Sequence, residues 1–208
     1  MNPIPQLPDE LRTAALQLLG ETDPQLKADR TRALQRRWLD GGIALDPNAT
    51  LSEPSGVPGR PLRPALVPPR EVERRGMHNL EGRAALIHAL AHIEFNAINL
   101  ALDAVWRFPG MPHDYYRDWL QVAAEEALHF SLLSAHLQSL GFEYGDFNAH
   151  DSLWEMAEKT RDDLLARMAL VPRTLEARGL DATPGVRNKL AQAGDMKAAG
   201  IQIGRAHV

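Results

Sequence analysis

From residue 83 to residue 140, apolar side chains recur at alternating four- and three-residue steps, interrupted once by Pro109-Gly110-Met111-Pro112. Leu86, Leu90, Ile93, Ala97, Leu100 and Ala104 mark the first half; Trp119, Val122, Leu133 and Leu140 mark the second. That spacing is one face of a 3.6-residue helix, so the sequence predicts two long amphipathic helices, 83–107 and 113–140. Five residues between them leave room only for an antiparallel return, the basic unit of a helical bundle. Gly141 stands where a left-handed residue would close the second helix.

The flanks are read the same way. Ser152 and Glu155 have capping-box spacing before a third helix with Leu153, Ala157, Thr160, Leu164, Met168, Val171 and Leu175 in line, kinked late by Pro172. A fourth helical segment starts near residues 185–190, is broken by Gly194 and resumes at 196–201. Upstream, Asp9 is placed to cap a helix over 11–19, and Asp23 and Pro24 to open one over 26–39. Between residues 41 and 69 prolines and glycines are too dense for a helix or central strand, and Leu62, Ala65, Leu66 and Val67 within it favour an arm lying on the body. The expected organisation is a helical extension (1–40), a Pro/Gly-rich arm (41–78), a bundle (79–201) and a tail (202–208). No repeats and no strands are expected.

Composition narrows the chemistry. The 23 Lys and Arg against 27 Asp and Glu, net charge -4, give no electrostatic footprint for nucleic acid or an anionic membrane. The cluster Arg30, Arg32, Arg36 and Arg37 is interleaved with Asp29 and Asp40 and reads as a solvated face. With no cysteine, disulfides, iron–sulfur clusters and thiolate metal sites are excluded, so any metal must be held by His and carboxylate. The longest uncharged apolar run is about half the ~20 residues that span a bilayer, so a soluble, cytoplasmic protein is expected.

Three residues stand out because they are polar where the periodicity demands apolar. Glu126 and His129 lie three residues apart within the stripe of their helix, where both can face one small volume. Glu94 lies in the neighbouring stripe Ile87, Ala91, Ile98, Ala101 and Val105 of the preceding helix. A buried carboxylate is costly without a cation. Arg107 and Arg117 are available, but both lie near helix ends, whereas Glu94 and Glu126 are near helix middles. Two carboxylates and an imidazole on antiparallel helices therefore fit an oxygen-rich dimetal site better than an ion pair. His136 shares the stripe of His129 and reads as a residue behind the ligands or at the bundle end. His88 and His92 read as structural, because His92 points about 160° from Glu94. Tyr115, Tyr116 and Trp119 read as core.

The segments His92-Ile93-Glu94, Glu125-Glu126-Ala127-Leu128-His129-Phe130 and Leu175-Glu176-Ala177-Arg178 are similar to an uncharacterised bacterial family of ferritin-like proteins of unknown function. The Glu-Ala-Arg triplet also resembles a stretch of the tRNA-modifying di-iron hydroxylases. The resemblance implies an all-α, ferritin-like bundle with Glu94, Glu126, His129 and Glu176 as metal ligands, Glu158 and Asp162 being alternatives to Glu176. It implies two iron ions, or iron and manganese, and an O2-dependent oxidase or hydroxylase acting on a small molecule or a tRNA, served by an electron-donor protein. A ferroxidase or iron-handling protein and a metal-free helical scaffold are the competing readings. The sequence departs from the family at its end: the fourth helix with a second Glu-x-x-His is missing, and residues 203–208 read as the translation of ATC GGA AGA GCA CAC GTC, a short-read sequencing adapter. A truncated chain with an incomplete site is expected, one that associates, as a homodimer or otherwise, through its exposed apolar faces.

Overall fold

The computed structural model describes residues 6–73, 75–170 and 177–204. Among these residues it is all-α, with eight α-helices and one short 3-10 turn at Pro69–Glu71. The only β-type pairing among them is two isolated bridges, Glu10 with Ala44 and Leu66 with Ala149. The chain divides into two compact units, residues 1–61 with 97–128, and residues 62–96 with 129–208.

In the first unit, α1 (Leu11–Leu19) is capped by Glu10, whose carboxylate accepts from the amides of Arg12 and Thr13. Asp9, the expected cap, instead pairs with Arg37. The longer Glu side chain reaches the orphan amides from the residue adjoining the helix, which frees Asp9 for the guanidinium. α2 (Pro24–Leu39) opens as expected, with the Asp23 carboxylate accepting from Leu26 N–H and Pro24 at the first position. Leu11, Ala14, Ala15, Leu18, Leu19, Ala28 and Leu34 are buried.

The Pro-rich segment is tied down by backbone-directed cations. Arg12, 2% exposed, donates to the carbonyls of Pro47, Ala49 and Trp106 at 3.1, 2.8 and 2.7 Å. Lys27, fully buried, donates to the carbonyls of Leu19 and Gly59 and to Asn99 Oδ1 at 3.1, 2.9 and 2.6 Å. Prolines leave a chain with carbonyls and few amides, so cationic donors are the natural means of holding it. α2 is therefore not a uniformly solvated charged helix.

α3 (Leu80–Arg107) begins three residues earlier than expected and α4 (His113–Ser139) ends one residue short of the expected position. Tyr115 Oη donates to Ala104 O at 3.2 Å and Tyr116 Oη to Phe108 O at 2.9 Å, which pins the turn of this antiparallel hairpin. Gly141 has φ 85°, the left-handed conformation that ends α4. α3 is the one described helix long and apolar enough to cross a membrane, and 72% of its most apolar window is buried in the protein, as in a core helix.

The expected third helix is two helices. α5 (Ser152–Lys159) and α6 (Leu164–Leu170) are separated at Thr160–Asp163. Thr160 Oγ1 donates back to Met156 O at 2.8 Å, and the Asp163 carboxylate accepts from Ala166 N–H at 2.9 Å as a new cap. Buried Arg167 then donates to Ala157 O at 2.7 Å, a carbonyl a continuous helix would have used, and to the Thr160 hydroxyl at 2.8 Å. Local side-chain bonds have outcompeted the helical ladder. The capping box also fails: Ser152 is the first helical residue after Asp151, and no side chain caps α5. Pro172 lies outside the described residues. α7 (Ala177–Gln192) and α8 (Met196–Gly204) are separated by Gly194, φ 82°. Asp195 caps α8 by accepting from Ala198 N–H at 2.9 Å.

Candidate metal centre

α4 carries Glu126 and His129 three residues apart, one helical turn, so both side chains issue from one face. The hairpin supplies the third group. From the Ala104–Tyr115 contact, ten residues back along α3 and eleven forward along α4 lead to Glu94 and Glu126. One ligand atom from each of Glu94, Glu126 and His129 can be chosen so that all lie within 4.8 Å of one another. Glu94 is fully buried, His129 is 8% exposed and Glu126 is half-buried. The three sequence-derived candidates are thus together, and Glu176 lies outside the described residues.

Arg107 and Arg117 are engaged elsewhere. Arg107 holds Asp103 at 2.8 Å and Glu53 at 3.2 Å, which keeps its guanidinium charged despite burial. Arg117 pairs with Asp114 and Asp118 on its own helix. Neither forms an ion pair with Glu94 or Glu126. Of the alternatives to Glu176, Glu158 accepts from Trp154 Nε1 at 3.1 Å on its own helix, and Asp162 lies exposed beside Arg161.

His92, His136 and His88 have structural partners within the second unit. His92 Nδ1 lies 2.8 Å from Tyr144 Oη, and its Nε2 lies 3.1 Å from His150 O and 3.0 Å from Asn96 Nδ2, so both ring nitrogens are engaged by structural partners. Tyr144 packs against Phe95 and Phe130, the residues that follow Glu94 and His129, with centroids 5.8 and 5.1 Å apart. His136, in the last turn of α4, contacts both carboxylate oxygens of Asp195 at 2.9 Å, a buried link to the start of α8. His88, 1% exposed, accepts from Gly145 N–H at 3.0 Å through Nε2 and stacks on Tyr144.

Burial lowers the His88 pKa to about 4, against the opposing pull of Asp146. A neutral His88 is required in the folded protein, whereas the unfolded chain protonates it near pH 6.5. Its contribution to stability is therefore complete above pH 6.5 and is lost as pH falls toward 4. Chemical unfolding at pH 7, 5.5 and 4.5 should show this loss, and His88→Gln, which retains an acceptor, should flatten that part of the profile. An unchanged slope would rule the residue out as the acid-sensitive group.

Residues 20–203 match the family described as "Protein of unknown function (DUF455)". The chain belongs to that family. In this member the Glu94–Glu126–His129 group and the whole α3–α4 hairpin fall inside the matched region. A protein of Haemophilus influenzae, named only "Uncharacterized protein", is 54% identical over 148 residues, which is 68% of this chain and 51% of that relative. The chain thus spans about half the length of the curated relative it matches. No solved structure matches it.

Two features of this family member escape the helical-period and charge rules applied to its sequence. Lys27 belongs by charge to the polar face of α2, although it stands four residues before Thr31 and seven before Leu34, both buried, so its register places it inside. The Thr160-Arg161-Asp162-Asp163 run carries the signal of the helix break: a back-bonding hydroxyl and a capping carboxylate three residues apart.

Proposed function

We propose that this chain is the metal-binding part of a ferritin-like, di-iron or iron–manganese carboxylate protein that carries out an O2-dependent oxidation or hydroxylation. The observation that carries this reading is the buried group of Glu94, Glu126 and His129 within 4.8 Å. Its chemistry suits the cation: carboxylate oxygens and one imidazole nitrogen favour iron or manganese, and no thiolate is present to select a softer metal. Glu94 and Glu126 would hold the metal through oxygen, and His129 through one ring nitrogen as a neutral ligand. When bound, such a centre supplies one-electron redox change and a place for dioxygen.

The chain's own residues do the rest. Burial of Glu94 and His129 keeps bulk water from the group and strengthens the pull of both carboxylates on a cation. Placing Glu126 and His129 one turn apart on one helix holds their relative geometry without a loop. The substrate is proposed to be a small molecule or a tRNA, with electrons from a donor protein.

Titration with Fe(II) without oxygen, and with Mn(II), followed by metal analysis of the desalted protein, tests the reading. Binding should be weakened at least about tenfold by Glu126→Gln or by His129→Gln, since each removes one ligand. Metal retained equally by wild type and by both variants would place it elsewhere. No retention by wild type, repeated on a longer family member, would leave the metal-free scaffold.

A further inference from the structure

In the second unit three aromatic rings meet in a closed triangle beside two of the candidate ligands. Phe95 follows Glu94 on α3 and Phe130 follows His129 on α4; both are buried, with ring centroids 5.7 Å apart. Tyr144, from the loop after α4, completes the triangle at 5.8 Å from Phe95 and 5.1 Å from Phe130, edge-on to the latter at 89°. Each ring touches both others, so in a close-packed interior none can shift without displacing the other two.

Tyr144 is itself held from outside the triangle. Its ring stacks on His88 at 5.3 Å, its Oη lies 2.8 Å from His92 Nδ1, and the next residue, Gly145, donates its N–H to His88 Nε2 at 3.0 Å. The far end of the loop is clipped to the Pro-rich segment: Ala149 N–H donates to Ala65 O at 3.0 Å and Val67 N–H to Ala149 O at 2.9 Å. Metal affinity depends on ligands held within about 0.5 Å of their working geometry by the side chains packed around them. We infer that Tyr144 is the positioning residue of the carboxylate–histidine group, its ring wedged against Phe95 and Phe130 so that the separation of Glu94 and His129 is fixed before a cation arrives. This inference rests on the metal reading and adds to it the residue that prepares the site.

Titration with Co(II), whose visible absorption reports its coordination geometry, tests the inference on wild type, Tyr144→Phe, Tyr144→Leu and Gly141→Ala, with urea unfolding of each. Tyr144→Leu should bind about tenfold more weakly, the lower end of the range for residues that orient ligands, and with an altered spectrum. Tyr144→Phe keeps the ring and gives up the hydroxyl, so it should retain both affinity and spectrum. Gly141→Ala is the control in the same unit: strained by a φ of 85°, with nothing within 4 Å of its Cβ, it should lose stability and keep both. If circular dichroism shows the leucine variant unfolded, Tyr144→Met takes its place. Wild-type binding with Tyr144→Leu unchanged in affinity and spectrum, or with Gly141→Ala altered as much as Tyr144→Leu, would overturn the inference and leave the metal reading standing. No Co(II) binding by the wild type would overturn the inference for this chain, whatever a longer family member then shows of the metal reading.

Discussion

Replacing Lys27 by methionine will destabilise the first unit by about 3–5 kcal/mol at neutral pH, the range for removing one partner from a buried charged cluster. The ammonium is fully buried and is the common donor to Leu19 O, Gly59 O and Asn99 Oδ1. Methionine fills much of the volume but leaves three buried acceptors without that donor. Burial is also the main reason the Lys27 pKa falls from 10.5 to about 7, with Arg60 adding to the fall and Glu21 opposing it. Because the folded pKa lies below the unfolded one, the unfolded chain binds more protons between pH 7 and 10.5, and the lysine's contribution to stability grows with pH across that window. Below pH 7 both states are protonated and the dependence ends. Denaturant unfolding at pH 6.5, 8 and 9.5 should show the gap between wild type and Lys27→Met widening with pH. A gap that is constant or narrows would mean that Lys27 stays charged through this range.

Gly59→Ala should cost at least about 3 kcal/mol, among the largest single-residue effects in this protein. A Cβ at Gly59 would stand 2.2 Å from Gly20 O, 2.5 Å from Gly20 C and 2.6 Å from Glu21 O, all backbone atoms that cannot rotate away. Gly59 N–H also donates to Leu19 O at 2.8 Å, so the arm runs against the end of α1 at van der Waals limits. The variant must part these two backbones, which also draws Gly59 O away from Lys27. The two substitutions should thus be strongly non-additive: Gly59→Ala should cost much less in a Lys27→Met background, and a double-mutant cycle measures the difference. Full additivity would show that the arm seats at this point without the lysine. Gly56 is a useful control, since nothing lies within 4 Å of a Cβ there; its φ of 82° alone sets the cost of Gly56→Ala.

The candidate site is legible in the sequence because three polar residues violate an otherwise regular apolar pattern. Glu94, Glu126 and His129 stand out from periodicity alone, since the apolar face of a helix tolerates a charge only where something compensates it. What the periodicity leaves open is whether the two helices pack in the register that brings those residues together. The Tyr115–Ala104 and Tyr116–Phe108 contacts at the turn belong to that register, and neither follows from the spacing. Glu176 rests on resemblance instead of pattern, and it lies outside the described residues.

Where local and tertiary preferences compete, the sequence is less legible. The third apolar stripe is continuous through Thr160 and Leu164, yet the helix stops, because Thr160, Asp163 and Arg167 bond to backbone groups the ladder would otherwise use. A stripe reports which side chains seek burial; it does not report which hydrogen bonds win. Lys27 is the converse case: its charge argues for solvent, and its position among Thr31 and Leu34 argues for the interior.

By itself, then, the sequence determined an all-helical chain, the long α3–α4 hairpin, the Pro-rich arm that no regular element could absorb, and a metal chemistry restricted to carboxylate and imidazole. These follow from local rules: helical period, proline geometry and the absence of thiolates. Only the tertiary structure decided that the arm is clasped by Lys27 and Arg12, that α5 and α6 are separate, and that Glu94 meets Glu126 and His129. Each of these depends on groups distant in sequence whose burial changes the energy of a charge or a hydrogen bond, and that energy is set by the surroundings and not by the residue.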